Sequence, residues 1–444
     1  MELSNEVMFL GIKFRRGVLK SNAIILFLMC FFAMLMNIAP IMLMPVYLQE
    51  IIDISRQHMG KINASLSVIT ELIIICFVGA VGVLSDKKGR KPMLVAGFFA
   101  AGVLTLFFGS SHIIADFTGV KEPLVFVFIF RSLIGLSLLF VWPQVQSLLT
   151  DYTYIAGRGK AMAIMGFMYT LASLFAFLFL ARLPGIIGLY NVFVVIMAIA
   201  ILASIVSRRG LVDLADKGKK ENVKWKEVFK LLKKSLCLKI TFSASFAARA
   251  DVVILAMFIM IWVGKVAREF GRTPLEAVAE GGITIAMASF IGLICYPLWG
   301  YLAEKWGRLH VLVIGLFFAG LGYTLIGFVS NPFSIWMKAC IVIFALGVNG
   351  SGVGASTLTA DIAPRNLIGS VLGGYHTAAA IGIMFFVQIG GFLFDHLGHS
   401  WPFMLTGIAD LLVMLFVLVT WKKAYSEEKT LKKIKRQAIQ MQSS

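Results

Sequence analysis

Apolar runs of about 20 residues recur along the whole of this 444-residue chain and are separated by short polar connections. A helix of about 20 apolar residues can cross the hydrocarbon core of a membrane, which is roughly 30 Å thick. With 59% hydrophobic and 14% charged residues, the chain is far more apolar than a soluble protein. We therefore predict an all-α membrane protein with twelve transmembrane spans. The predicted spans, numbered 1 to 12, are 21–48, 60–85, 92–111, 123–150, 160–182, 185–207, 238–264, 282–303, 310–330, 332–358, 367–394 and 400–421.

The basic residues indicate how these spans are oriented. Of the 41 lysines and arginines, 31 lie in or within two residues of the two termini and the even-numbered connections, and seven lie in or within two residues of the odd-numbered connections. Because positive residues favour the cytoplasmic side, we expect an integral protein of the bacterial inner (plasma) membrane with both termini cytoplasmic. This topology accounts for the net charge of +18, so the charge does not indicate a nucleic-acid partner.

The longest connection, 208–237, is strongly basic and divides the chain into two predicted six-helix bundles, 1–207 and 238–444. Within this connection, helical spacing brings apolar residues onto one face, surrounded by lysines. That pattern indicates an amphipathic helix on the inner membrane surface, and a solvated basic linker is the alternative. The residues of the apolar face are Trp225, Phe229, Leu232 and Leu236.

Two short motifs occur twice in the chain. GYLAEKWGR at 300–308 repeats the pattern of GVLSDKKGR at 82–90, with a constant offset of 218 residues. DYTYIAGRG at 151–159 and DIAPRNLIG at 361–369 form a second pair, with an offset of 210 residues. Two pairs in the same order, each between corresponding spans, indicate duplicated six-span halves.

The doubled motif resembles the G-x-x-x-D-[RK]-x-G-R-[RK] signature of the major facilitator superfamily (MFS), with a degenerate copy after span 8. The resemblance covers the full chain. It implies two pseudo-symmetric six-helix bundles around a central cavity lined mainly by spans 1, 4, 7 and 10, which works by alternating access. Drug exporters, sugar carriers and organic-acid carriers share the signature, so it indicates a transporter without indicating its substrate.

The acid of the first motif, Asp86, lies at the C-terminal end of span 2, where the helix dipole is already negative. We expect Arg90 and the N-terminal end of a facing helix to stabilise it, and Gly82 to allow close helix approach. The resemblance implies that this helix is span 11, that the contact closes the cytoplasmic side, and that Glu304 and Arg308 meet span 5. A basic loop following the positive-inside rule is the alternative. The predicted gate residues are Gly82, Asp86, Gly89, Arg90, Gly300, Glu304, Gly307 and Arg308.

Ionisable residues at membrane depth are costly and indicate function. Glu71 lies near the middle of span 2 and is a candidate proton carrier, and a hydrogen-bonded structural carboxylic acid is the alternative. Arg131 and Gly135 lie in RSLIG of span 4. This segment resembles the R-x-x-x-G motif, which in the superfamily is linked to proton coupling. An arginine that braces two helices is the alternative for Arg131.

Span 7 contains two more charges, Arg249 and Asp251. Two residues apart on a helix, they point in different directions, so we expect one to face the cavity and the other a neighbouring helix. We interpret Asp251 as a proton-exchanging group, and Arg249 or Arg131 as attracting an anionic group of the substrate. Buried ion pairs, with Glu71 or with other neighbours, are the alternative.

Three polar residues on cavity-lining spans are further substrate-binding candidates: Asn37 in span 1, Gln144 in span 4 and Asn349 in span 10. The alternative is that each satisfies a kinked backbone. His376 in span 11 is interpreted as structural.

The sequence contains no nucleotide-binding loop, nucleophile arrangement, metal cluster or cofactor motif, so it indicates neither an enzyme nor an ATP-driven pump. We expect no cofactor and no metal. We predict a secondary transporter in the lipid bilayer, functional as a monomer, that moves a small anionic metabolite with protons. One alternative is a drug/proton antiporter, against which span 5 lacks the G-P-x-x-G-G signature. A non-transporting membrane receptor ranks below both.

Overall fold

A computed structural model describes residues 7–55, 57–154, 157–214, 225–364 and 367–430, apart from the side chains of Asp86 and of residues 368–369. Two short strands, β1 (Met8–Phe9) and β2 (Ile12–Lys13), pair antiparallel. Single turns of 3-10 helix lie at Leu180–Arg182 and Ala267–Phe270. The α-helices are α1 (Lys20–Glu50), α2 (Met59–Lys88), α3 (Arg90–Gly109), α4 (Ser111–Thr118), α5 (Leu124–Leu139), α6 (Trp142–Tyr152), α7 (Arg158–Leu178), α8 (Leu183–Ile187), α9 (Leu189–Gly210), α10 (Trp225–Lys234), α11 (Leu236–Ala248), α12 (Asp251–Val266), α13 (Pro274–Lys305), α14 (Arg308–Ile326), α15 (Ile335–Ile362), α16 (Ile368–His396) and α17 (Trp401–Val419).

Twelve helical segments among the described residues are long and apolar enough to cross a membrane. The predicted fold class is therefore confirmed. Spans 1, 2, 3 and 6 are α1, α2, α3 and α9, and spans 8 to 12 are α13 to α17. Spans 4, 5 and 7 are interrupted, and consist of α5 with α6, α7 with α8, and α11 with α12. In each unit, the side at which span 1 begins or span 12 ends is called the terminal side below.

The interruptions have different local causes. In spans 4 and 5 a proline stands in the first turn of the second helix, Pro143 in α6 and Pro184 in α8, where proline is tolerated because its missing N–H has no helical partner there. Span 7 breaks without a proline at Arg249 and Ala250. A broken helix at membrane depth is tolerated where its backbone is enclosed by protein or lines a cavity.

The chain packs as two compact units. The first comprises Met1–Lys220 and Met260–Ser289, and the second comprises Glu221–Ile259 and Phe290–Ser444. The bundles predicted from the duplicated motifs, 1–207 and 238–444 with the linker 208–237, remain a prediction. The packing divides the chain at other positions, because Met260–Ser289, the end of span 7 and the start of span 8, belongs to the first unit.

Within the first unit, the end of span 7 and the start of span 8 contact spans 1 and 5. These contacts lie away from the terminal side. The Gln49 side-chain amide donates a hydrogen bond to the Gly264 carbonyl (3.3 Å). The hydroxyls of Ser173 and Ser289 lie 3.0 Å apart. At Gly282 the helices touch so closely that an added Cβ would lie 2.6 Å from the Cβ of Ala181.

The linker helix predicted within 208–237 is present as α10, but its faces differ from the prediction. Val228 is buried and packs with Leu231 and Leu232 against a cluster from the end of span 10 and the start of span 11. Trp225 and Phe229 are instead exposed, with their ring centroids 6.3 Å apart. Leu232 therefore faces the protein rather than sharing an outer face with the two aromatic residues.

The N-terminal segment also packs against the first unit. Ile12 and Phe14 are fully buried, Phe14 pairs with Thr153 as an isolated bridge, and the Arg15 N–H donates to the Tyr152 carbonyl (2.8 Å). The segment before span 1 is therefore fixed to the connection between spans 4 and 5, which the sequence analysis did not predict.

Candidate functional site

The two repeated motif pairs meet in the folded chain. Arg90 Nη1 lies 2.6 Å from Asp151 Oδ2 in the first unit, and Arg308 Nε lies 3.2 Å from Asp361 Oδ2 in the second. Each arginine begins the helix after its motif, and each aspartate lies near the terminal-side end of span 4 or span 10. The duplication therefore reproduced an ion pair and not only a sequence pattern.

Within the second unit, Arg308 pairs with Asp361 of span 10, and Glu304 is exposed. A Cβ added to Gly82 would meet no described atom of the first unit within 4 Å, and one added to Gly300 would meet none of the second. The gate contacts predicted between spans 2 and 11 and between spans 8 and 5 stay a prediction. The side chain of Asp86 lies outside the described residues.

A second pseudo-symmetric feature caps the helices that follow the motifs. The Lys91 N–H donates to Asp213 Oδ2 (3.3 Å) at the start of α3, and the Arg308 N–H donates to Glu428 Oε1 (2.9 Å) at the start of α14. Asp213 follows span 6 and Glu428 follows span 12, so each half uses the acid after its last span. An acid at a helix N-terminus accepts unpaired N–H groups and matches the positive end of the dipole.

Gly89 and Gly307 make the turn that brings these groups together. Their φ angles are +94° and +110°, a region that side chains other than glycine rarely adopt. A Cβ on Gly89 would also collide with the carboxylate of Asp213. Gly89 and Gly307 are therefore needed for the backbone conformation of the turn after each motif helix.

Asp151→Asn is expected to lower the free energy of unfolding by about 1 kcal/mol, because the pair with Arg90 is only partly buried, with both side chains 19% exposed. Exchanging the partners in Arg90→Asp/Asp151→Arg restores part of the loss. Thermal unfolding in detergent measures both effects. If the exchanged variant is less stable than Asp151→Asn, the two side chains do not stabilise one another.

Arg131 is 2% exposed and lies in the middle of the first unit. Glu71 is the charge that acts on it, whereas its Nε and Nη1 atoms have no hydrogen-bond partner in the described part of the chain. Gly135 lies one turn further along span 4, and an added Cβ there would lie 3.0 Å from Thr70 Cγ2. The glycine of the R-x-x-x-G motif thus seats span 4 against span 2, next to Glu71.

The break in span 7 separates its two charges. Arg249 is exposed, whereas Asp251 is fully buried. Asp251 faces Asp410 of span 12, which is also fully buried, and the Tyr323 hydroxyl of span 9 donates to the backbone carbonyl of Asp251. The two charges therefore do point in different directions, as predicted. The ion pair considered for Asp251 is not found among the described residues, since its neighbour is another acid.

Arg249 lies close enough to spans 8 and 11 for its charge to act on side chains of both. Its charge acts on Tyr296, Tyr375 and His376. Arg249 and His376 are exposed, Tyr296 is half-buried and Tyr375 is buried. This group, called the Arg249 cluster below, combines a guanidinium with aromatic and phenolic side chains, which can bind a carboxylate or phosphate through charge-assisted hydrogen bonds. His376 was interpreted as structural, yet it belongs to this cluster.

The remaining substrate-binding candidates differ in what they contact. Gln144 is 1% exposed and its Oε1 accepts a hydrogen bond from the Ser85 hydroxyl, so it joins span 4 to span 2. A Cβ on Gly292 would lie 2.5 Å from Asn349 Nδ2, so Asn349 packs on span 8. Asn37 is half-buried in span 1.

A sequence model of the Major Facilitator Superfamily matches residues 26–292 and 242–442. The chain belongs to the major facilitator superfamily. Magnetosome protein MamH of Paramagnetospirillum magneticum is 30% identical over 404 residues, which are 90% of this chain and 92% of MamH. Multidrug resistance protein 2 of Bacillus subtilis is 25% identical, covering 84% of this chain and 88% of that protein.

Other matches of this MFS transporter are more distant or partial. Magnetosome protein MamZ of Paramagnetospirillum magneticum is 28% identical, and the match covers 88% of this chain but 61% of MamZ, so the chain spans about three fifths of that relative. The crystal structure of a nucleoside transporter superposes with a TM-score of 0.69 at 13% identity, covering 90% of this chain and 99% of that chain. At this identity the likeness concerns the fold alone.

Proposed function

We propose that this MFS transporter moves a small anionic solute by alternating access, coupled to protons. The Arg249 cluster is the observation that supports it most. A cation exposed at a broken span is costly unless it has a ligand or a water-filled surrounding. Interrupted spans are also where secondary transporters commonly bind their substrates.

The choice of an anion follows from the charges around the break. Arg249 supplies the positive charge of this cluster, and Tyr296, Tyr375 and His376 add groups that can donate hydrogen bonds to an anion. The one acid near Arg249 in sequence, Asp251, is buried towards span 12. A small carboxylate or phosphate ester would therefore meet donors here.

Proton coupling is supported by the electrostatic interaction of Arg131 with Glu71 in the first unit. Glu71 is half-buried, and a carboxyl group on which an arginine acts can change its protonation state when the arginine turns to another anion. Uptake of the solute into proteoliposomes should then respond to an imposed pH gradient, and uptake indifferent to that gradient would contradict proton coupling.

Arg249→Gln is expected to abolish stabilisation by the anionic solute, because the substitution keeps a polar side chain but removes the charge. The measurement is thermal unfolding of the purified protein with a panel of carboxylates, phosphate esters, neutral sugars and lipophilic cations, since a ligand selective for the folded state raises its stability. Arg268→Gln, at an exposed arginine in the turn after span 7, is the matched control and should retain the response. An anion response that persists in Arg249→Gln would count against the Arg249 cluster.

A drug/proton antiporter is the second candidate, favoured by the relative named as a multidrug resistance protein. It predicts stabilisation by lipophilic cations in the same panel. The cationic Arg249 cluster disfavours such ligands, so a response to cations alone would replace the first proposal with this one.

We also propose that both termini are cytoplasmic, following the positive-inside rule, and that the transporter works as a monomer. Two relatives are named as magnetosome proteins, which makes the magnetosome membrane a second location besides the bacterial inner membrane. A fluorescent C-terminal fusion expressed in Paramagnetospirillum magneticum separates the two locations, and its fluorescence also requires a cytoplasmic C-terminus. Size-exclusion chromatography with light scattering in detergent tests the monomer.

A further inference from the structure

A pair of buried acids lies where spans 7, 9 and 12 meet in the second unit. Asp251 is the first residue of α12 and Asp410 lies in the middle of α17, and both are 0% exposed. Their carboxyl groups face each other. None of their four oxygen atoms receives a hydrogen bond from any residue that the structure describes.

Among the residues that the structure describes, no positive charge acts on the pair. On span 9, the Tyr323 hydroxyl is directed to the backbone carbonyl of Asp251. Span 10 contributes Phe344, which stacks on Tyr323, and span 12 contributes Phe403 beside the same ring. Arg249, on the other side of the break, is exposed and acts on spans 8 and 11.

Two ionised carboxylates are hydrogen-bond acceptors only. Facing each other in a buried site without a donor, they repel and lose their hydration, so both cannot remain charged. A single proton on one of them supplies the missing donor, converts repulsion into a hydrogen bond and halves the buried charge. This is the behaviour of carboxyl dyads that titrate as a unit.

We propose that Asp251 and Asp410 share one proton, and that release of this proton opens the break in span 7. Loss of the proton leaves two facing carboxylates on different spans, and the interrupted segment of span 7 is the part that can move. Arg249 lies two residues before Asp251, so protonation of the pair controls the position of the Arg249 cluster. This coupling role rests on the proposed function, whereas the sharing of a proton does not.

A proton fits the pair better than a metal ion. Calcium and magnesium require six or more oxygen ligands, whereas the two carboxyl groups supply four oxygen atoms, which have no hydrogen-bond partner in the described part of the chain. Among the described residues, no group of three or more histidine, cysteine, aspartate or glutamate side chains is placed to hold a metal.

Infrared spectra of the purified full-length protein test the shared proton. Protonated carboxyl groups absorb apart from carboxylates, so the wild type should show a carboxylic-acid band that disappears as the pH rises. Labelling with aspartate carrying carbon-13 at the side-chain carboxyl should shift the band, which assigns it to aspartate without any substitution. Asp251→Asn and Asp410→Asn should each remove the band, because the new amide is itself a donor to the remaining carboxylate. Asp116→Asn, at an exposed aspartate in α4, should retain it.

Three results of this experiment would overturn the proposal. They are a band that does not shift with the aspartate label, a band that survives in both variants, and a band that responds to added sodium or magnesium at constant pH. The third result would make the pair a cation site. The labelled wild-type protein decides the question even if neither variant folds.

Stability gives a second measurement of the same proton. The folded protein holds a proton that the unfolded chain releases above the ordinary pKa of aspartate, about 3.9, so its stability should fall as the pH rises from that value until the shared proton is lost. Asp251→Asn and Asp410→Asn should lose this part of the pH dependence, and Asp116→Asn should keep it. Equal pH dependence in all four proteins would contradict the shared proton.

Hydrogen exchange tests the link to span 7. At alkaline pH, where the wild-type pair is ionised, the amides around Arg249 and Ala250 should exchange faster in the wild type than in Asp410→Asn at the same pH. Equal exchange would refute control of the break and leave the shared proton intact. None of these three measurements involves transport, so a transporter that ignores pH gradients would refute the proposed function without affecting their results.

Discussion

Arg131→Leu is expected to lower the free energy of unfolding by about 3 kcal/mol, because it removes the positive charge that acts on the Glu71 carboxylate at membrane depth. Arg131 is 2% exposed, Glu71 is half-buried, and the charge of Glu71 acts on Arg131. Leucine cannot interact with the carboxylate. Thermal and denaturant unfolding of the purified protein in detergent measure the loss.

A second substitution shows whether the loss comes from the charge. In Arg131→Leu/Glu71→Gln the negative charge of Glu71 is removed as well, so a large part of the lost stability should return. Arg182→Leu, at an exposed arginine at the end of span 5, should change stability by less than about 0.5 kcal/mol. If Arg131→Leu changes the free energy of unfolding as little as Arg182→Leu does, the interaction of Arg131 with Glu71 does not stabilise the protein. The alternative of a bracing arginine would then fail along with the proton-coupling interpretation.

Gly315→Ala is expected to destabilise the second unit by about 2 to 3 kcal/mol, through overpacking between spans 9 and 10. An added Cβ on Gly315 would collide with the Ser351 backbone nitrogen and lie 2.6 Å from the Gly350 carbonyl carbon. Both contacts are backbone, so no side chain can turn away to relieve them. Thermal unfolding and the yield of monodisperse protein in detergent measure the effect.

Gly300→Ala is the matched control for this substitution. It also lies inside a span, but an added Cβ there meets no described atom within 4 Å. Alanine is favoured over glycine in a helix by about 1 kcal/mol, so Gly300→Ala should leave stability unchanged or raised. A loss in Gly300→Ala as large as that in Gly315→Ala would show that the close approach of spans 9 and 10 is not the cause.

The fold could be predicted because hydrophobic length and repeated motifs each specify it independently. Membrane thickness determines the length of a span, and the paired motifs at 82–90 and 300–308 locate the duplication. The ion pairs were not predicted, although both partners had been singled out. Arg90 and Asp151 lie in different motifs, and sequence offsets relate equivalent positions without showing which positions touch.

The site was predicted less completely. Arg131, Arg249 and Asp251 were found because charges inside apolar runs are conspicuous, but Asp410 in GIADLL of span 12 satisfies the same rule and was missed. The break in span 7 has no proline or glycine to mark it, since FAARADVV reads as a continuous helix. The tertiary position of Asp251, facing another acid, is what distinguishes this segment.

The grouping of Met260–Ser289 with the first unit also constrains how the chain is assembled during synthesis. Gly282 packs against Phe177 and Ala181, which are made about a hundred residues earlier in the chain. The first six spans can therefore enter the membrane as they emerge, but their outer ends acquire these neighbours only after residue 289 has left the ribosome. Until then the first unit in the membrane lacks Met260–Ser289. The basic linker is therefore synthesised before the first unit is complete.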